Sequence, residues 1–163
     1  MALIDSSYFV GEISLPVGKY SDLPLFIERL ERDFLYKALG VRLANMVIEG
    51  DELTDDLVNG TTFEKDGQLY VWDGFKNEIK RSIIANYVYY FYLRSNVTIT
   101  TSTGESKPET ENSTGATPAF KVMRAWDEML RGLATMSAYI TTVPELAAIY
   151  KPTPFGRVNA FDL

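Results

Sequence analysis

From Phe75 to Phe91 apolar side chains fall at Ile79, Ile83, Ile84, Tyr87 and Val88, a helical spacing sustained over four turns. The last part, IANYVYYFYLRSN, places Tyr87, Tyr89, Tyr90, Phe91 and Tyr92 almost side by side. Such a helix must be covered on nearly every side, so it belongs at the centre of a fold. The unbroken apolar stretch, Tyr87 to Leu93, is far short of the ~20 residues a membrane helix requires. Arg81 and Arg94 close it with charge. The segment therefore predicts a buried helix starting at Phe75, and no membrane span. Tyr89 and Tyr92 lie off the main stripe. Either their own chain covers them or a partner does, since aromatics are enriched at interfaces.

The flanking sequence supplies the rest of a small helical bundle. SDLPLFIERLERDFLYKALG reads as a helix, with Ser21 or Asp22 as cap, Pro24 in the first turn and Gly40 as the stop. Phe26, Leu30 and Phe34 recur along one face, and Glu28–Arg32 and Arg29–Asp33 are candidate ion pairs on the other. VRLANMVIEG predicts a second, shorter helix ending at Gly50. Thr54 with Asp55 and Asp56 marks another helix start, where negative charge is favourable. TTFEKDGQLYVWDG predicts a β-hairpin over 61–72, turning at Asp66-Gly67. Residues 97–117, rich in Ser, Thr, Glu and Gly, predict a long loop with at most a short strand at Val97 to Thr100. Thr117 and Pro118 open the last long helix, whose stripe reads as Met123, Trp126, Leu130, Leu133 and Ile140. Asp127–Arg131 is a candidate ion pair on it, Met123, Met129 and Met136 read as core gap-fillers, and Thr142 can cap a final helix from Pro144 to Tyr150. The predicted fold is thus mainly α: an extended N-terminal arm (1–20), a helical domain (21–150) carrying the hairpin, and an extended C-terminal tail (151–163).

Composition excludes several chemistries. The chain has 163 residues, no cysteine, no histidine and a formal charge of −6. Disulfides, thiolate catalysis and cysteine metal sites are ruled out, as is the commonest general base. An acidic surface argues against a broad phosphate-binding face. Asp51, Glu52, Asp55 and Asp56 lack calcium-loop spacing, so they read as a solvated helix start. No phosphate loop, dinucleotide fingerprint or nucleophile elbow occurs. The residues point to no catalytic group, metal or cofactor, and the chain reads as a non-enzyme. The start, MALIDSSYFVGEISLP, lacks the basic and long apolar regions of a signal peptide.

The tail KPTPFGRVNAFDL cannot be helical at Pro152 and Pro154, yet carries Phe155, Val158, Phe161 and Leu163. Such anchors suit docking on the same domain or on another protein. The middle and ends together hold more ring-bearing surface than one chain of this size is expected to hide. Tyr89, Tyr92, Phe155, Val158, Phe161 and Leu163 are the candidate interface residues.

The order of features is similar to a known group. ISLPVGKYSDLPLFIERLERDFLYKALG resembles the opening of small head–tail connector proteins of tailed phages and prophages of Bacteroidetes, crAss-like phages included. These have an "I.LP" segment, then a helix ending as Phe34 to Gly40 does here. A glycine- and aromatic-spaced stretch follows, matched by Gly60, Phe63, Gly67, Trp72 and Gly74, and then an aromatic helix. The resemblance implies a virion structural protein at the head–tail junction, assembled in the host cytoplasm. It implies a ring, usually of twelve copies, below the portal protein, joining tail or neck proteins and passing genome DNA without sequence-specific binding. This chain departs from the group in being acidic, which fits a channel wall that passes DNA without holding it, since carboxylates repel phosphate. The family carries no catalytic residues. Two other classes remain open on the residues alone: a cytoplasmic protein-binding regulatory module, and a carboxylate-dependent enzyme.

Overall fold

In the computed structural model, residues 2–15, 22–96, 99–101, 104–106 and 118–156 are described. Three long helices form the body: α1 (Leu23–Leu39), α4 (Ile83–Asn96) and α5 (Pro118–Thr142). α4 lies between α1 and α5. Its buried side chains include Ile84, Ala85, Tyr87, Val88, Tyr90 and Tyr92, which cover most of its circumference. The expectation of a central, enclosed aromatic helix holds, and the mainly α bundle with a hairpin is the observed fold.

Shorter elements complete it. α2 (Val41–Glu49) packs on α1 and on α6 (Pro144–Ile149). α3 (Asp55–Asn59) follows a single 3-10 turn, Glu52–Thr54. Strands β1 (Thr61–Lys65) and β2 (Gln68–Trp72) pair antiparallel, with Thr61 opposite Trp72 and Phe63 opposite Tyr70. Asp66 and Gly67 both have positive φ, the geometry a tight two-residue hairpin requires. A second small antiparallel pair, β3 (Ile99–Thr101) with β4 (Gly104–Ser106), interrupts what reads as a long loop.

The close of the hairpin explains its glycines. Gly60 (φ +91°) and Gly74 (φ +81°) bring two backbones together where no side chain fits. A Cβ on Gly74 would lie 2.5 Å from the Gly60 nitrogen and 2.6 Å from the Val58 oxygen. Beside them the Trp72 indole N–H donates to the Leu57 carbonyl at 2.9 Å, and the Lys76 N–H to the Val58 carbonyl at 2.9 Å. Gly60, Trp72 and Gly74 are therefore set by the close packing of this hairpin against the end of α3, while Gly67 serves the turn.

Several sequence expectations are corrected. The aromatic helix starts at Ile83, two turns later than its periodicity indicates. Lys80 has φ +58°, and Asn77 folds the preceding chain into a turn. The Asn77 side chain accepts from the Arg81 N–H at 3.0 Å and donates to the Asp73 and Arg81 carbonyls. Ser82, buried, then accepts from the Ile84 N–H. Ile79 is left exposed rather than in the stripe. On α5 the core face is Val122, Ala125, Trp126, Met129, Met136, Tyr139 and Ile140. Met123, Leu130 and Leu133 are half-buried at its edge. The ion pairs form with other neighbours: Asp33 with Lys37 at 2.8 Å, and Glu128 with Arg131 at 2.7 Å.

The N-terminal arm is not extended over residues 2–15. It makes two 3-10 turns, Ser6–Tyr8 and Gly11–Ile13, and lies on its own domain. Ile4, Tyr8 and Phe9 are buried there. The buried Glu31 carboxylate of α1 holds it, accepting from the Leu3 N–H at 3.0 Å and the Ile4 N–H at 3.1 Å. The described start of the tail also docks on the subunit. The Lys151 and Thr153 N–H groups donate to the Leu39 and Lys37 carbonyls at 3.2 and 2.7 Å. These carbonyls belong to the last turn of α1, where a helix has no internal donors left to offer.

Candidate functional site

Each candidate interface residue has a definite place or lies outside the described residues. Tyr89 is 2% exposed and Tyr92 fully buried. The Tyr92 hydroxyl donates to the Asp22 carboxylate at 2.8 Å, and its ring meets Phe26 edge-on. Neither tyrosine is without a partner. They belong to the subunit's own core, which corrects their assignment as free contact residues. A circumference that looks too aromatic for one chain is covered because α1 and α5 clasp α4 from two sides. Phe155 is half-buried among the rings of Phe34, Tyr87 and Trp126, at 5.8, 6.0 and 6.2 Å between centroids. The Trp126 indole N–H donates to the Gly156 carbonyl at 2.9 Å. Val158, Phe161 and Leu163 lie outside the described residues.

Among the described residues only Tyr70 and Phe120 leave a ring exposed. The expected surplus of ring-bearing surface is thus not seen in the described core, arm or tail. An apolar surface remains elsewhere, on the hairpin. The inner face of the hairpin carries Phe63 and Trp72, buried, with Tyr70 stacked on Phe63 at 5.5 Å. Strand alternation turns the residues between them outward. Leu69 and Val71 of β2 are 70% and 64% exposed, opposite Glu64 and Thr62 of β1.

The cluster that most resembles catalytic machinery joins Asp33, Lys37 and Tyr87. The Tyr87 hydroxyl donates to Asp33 Oδ2 at 2.6 Å, and Lys37 Nζ donates to the same oxygen at 2.8 Å. Burial, with Asp33 beside it, holds the Tyr87 phenol far above its ordinary range. Burial pushes the Asp33 carboxyl up, but the hydrogen bonds from Lys37 and Tyr87 and the nearby cations outweigh it and hold it below its ordinary value. A phenol locked in its protonated state cannot serve as a base or nucleophile near neutral pH. The triad ties α1 to α4. The 51–56 carboxylates are likewise local: Asp51 accepts from the Leu53 N–H at 3.0 Å. Among the described residues no group of acidic side chains is arranged to hold a metal ion, and no helix is long and apolar enough to cross a membrane.

One polar feature was not legible in the sequence. A cleft of about 550 Å³ opens between the 3-10 turn at Gly11–Ile13, the 79–82 turn and α5. It continues into a second cleft of about 210 Å³, with which it shares Arg81, Ser82, Asn86 and Glu128. Lys80, Arg81, Lys121, Arg124 and Arg131 line the two, against Glu12, Asp73 and Glu128. These residues are scattered over the chain, so no local charge run announces them.

The Glu31 latch has a testable pH signature. Burial raises the Glu31 carboxyl above its ordinary value, and the Leu3 and Ile4 N–H donors offset this only in part. A raised carboxyl contributes stability that is fully present below the unfolded value and is lost as pH rises through the folded value. Glu31→Gln removes that titration while keeping an acceptor. Wild type is therefore expected to lose stability relative to Glu31→Gln as pH rises from 4 to 7. Urea melts of both proteins across that range check it, and a constant difference between them would refute it.

No family model, no curated protein and no solved structure matches the chain.

Proposed function

We propose that this chain is a phage virion structural protein, a head–tail connector that forms a ring below the portal, extends the DNA channel and joins the tail. The observation that carries the reading is the outer face of the hairpin. Its strand β2 offers Leu69 and Val71 to solvent while Phe63 and Trp72 on the opposite face are buried in the chain's own core. A short sheet with an apolar outer face and free edges is suited to being covered by another chain. The acidic balance suits a wall that passes DNA without retaining it. The order of motifs that resembles phage connectors supports the same reading.

Native mass spectrometry of the purified protein, and cryo-EM of particles, test it. A closed ring, and density for the chain at the neck, are expected. A strictly monomeric chain never found in particles defeats the proposal. The hairpin supplies a sharper test. Leu69→Lys combined with Val71→Lys changes only exposed positions, so the melting of the monomer should stay within about 0.5 kcal/mol of wild type. Assembly, read by the same mass spectrometry, should be lost. Unimpaired assembly of this double variant would remove the hairpin from the interface.

A further inference from the structure

The basic cleft and the acidic corner of the chain are two different patches of opposite sign. We infer that they meet between copies: the 51–56 corner of one subunit seats in the cleft of the next. The inference rests on the ring reading above and names the contact that closes the ring.

The cleft carries a net positive balance in a chain whose formal charge is −6. Two of its three carboxylates are already engaged, Glu12 with Arg124 at 2.8 Å and Glu128 with Arg131 at 2.7 Å. Lys80, Arg81 and Lys121 form no ion pair among the described residues. Lys80 instead lies over the Tyr8 ring, 4.7 Å from its centroid, which anchors one wall of the cleft to the core. The rim is apolar, with Val10 and Ile79 54% and 63% exposed. An acidic segment with an apolar side chain in its middle matches such a site.

The chain has one among its described residues. Asp51, Glu52, Asp55 and Asp56 are all exposed, and no cation interrupts them. Leu53 stands in their midst, 39% exposed. The 3-10 turn and the Asp51–Leu53 hydrogen bond fix the shape of this corner before it meets anything. None of these residues lines the cleft, so the contact is heterologous. A patch that meets a different patch on the next copy builds rings when the rotation closes. Opposite charge also steers the encounter and fixes the register.

The test is a charge swap. One variant carries Arg81→Glu and Lys121→Glu, the other Glu52→Lys and Asp56→Lys. All four positions are exposed, and circular dichroism checks that both variants fold. Each alone should assemble on the order of a hundredfold more weakly than wild type, because like charges now face each other. Mixed in equal amounts, they should regain the wild-type assembly mass, since every contact again joins opposite signs. Wild-type assembly should weaken as salt rises toward 1 M. Normal assembly of both single variants overturns the inference and leaves the ring in place. Loss of assembly without recovery on mixing overturns it too. A wild-type chain that stays monomeric overturns both this contact and the ring.

Discussion

Gly74→Ala should cost the folded chain about 2–5 kcal/mol, from two effects that add. Its φ of +81° is costly for any residue with a Cβ, by roughly 1–2 kcal/mol. The new methyl would also fall 2.5–2.6 Å from the Gly60 nitrogen, the Asn59 carbonyl carbon and the Val58 oxygen. These are backbone atoms, held in turn by the Lys76 and Trp72 hydrogen bonds to Val58 and Leu57, and cannot rotate away. Overpacking of this kind costs about 1–3 kcal/mol more. A domain with about 5–15 kcal/mol in all would be left marginal. Gly67→Ala is the control. Its φ is also positive, at +75°, but nothing lies within 4 Å of where its Cβ would go. Urea melts should show Gly74→Ala losing at least twice what Gly67→Ala loses. Equal losses would mean that backbone conformation, not close approach, explains the glycine.

That comparison also marks what can be read from the chain directly. Asp66-Gly67 announces its hairpin locally, because the turn needs positive φ whatever surrounds it. Gly60 and Gly74 look alike in sequence, yet their role depends on two segments meeting in space. The same division holds elsewhere. The stripe Ile83, Ile84, Tyr87 and Val88 is periodic and therefore legible, and it does form the core. The false start of α4 at Phe75 arises because Ile79 keeps the period while Asn77 and Lys80 break the backbone. Side-chain bonds of that kind leave no periodic trace. Tyr89 and Tyr92 fall outside the stripe for a similar reason. Their cover comes from α1 and other neighbours reached only after folding, and the Tyr92 partner Asp22 is 70 positions away. The cleft cations come from two separate segments, the 79–82 turn and α5, so their convergence is tertiary information.

A tertiary contact that joins distant segments is made by Phe34, and its removal should be the second severe lesion. Phe34 is fully buried on α1, and its ring meets Phe75, Tyr87 and Phe155 at 6.4, 5.2 and 5.8 Å between centroids. It thereby joins α1, the start of the 75–82 turn, α4 and the tail. Phe34→Ala should cost about 3–5 kcal/mol, since the ring is lost and Phe75 and Tyr87, fully buried beside it, cannot collapse into the space. The loss should be uneven. Phe155 would keep Tyr87 and Trp126 but lose its wall on α1, and the tail is otherwise tied to α1 by two backbone hydrogen bonds. Hydrogen exchange of the Lys151 and Thr153 amides reads this directly. In Phe34→Ala both should exchange faster than the amides of α4, because the tail lifts before the bundle opens. In Gly74→Ala, which keeps the Phe34 and Phe155 rings, the ratio of tail to α4 exchange should stay at its wild-type value. If the tail amides of Phe34→Ala slow or hold relative to α4, then Phe155 is anchored by α4 and α5 alone. In that case the ring of Phe34 does not hold the tail.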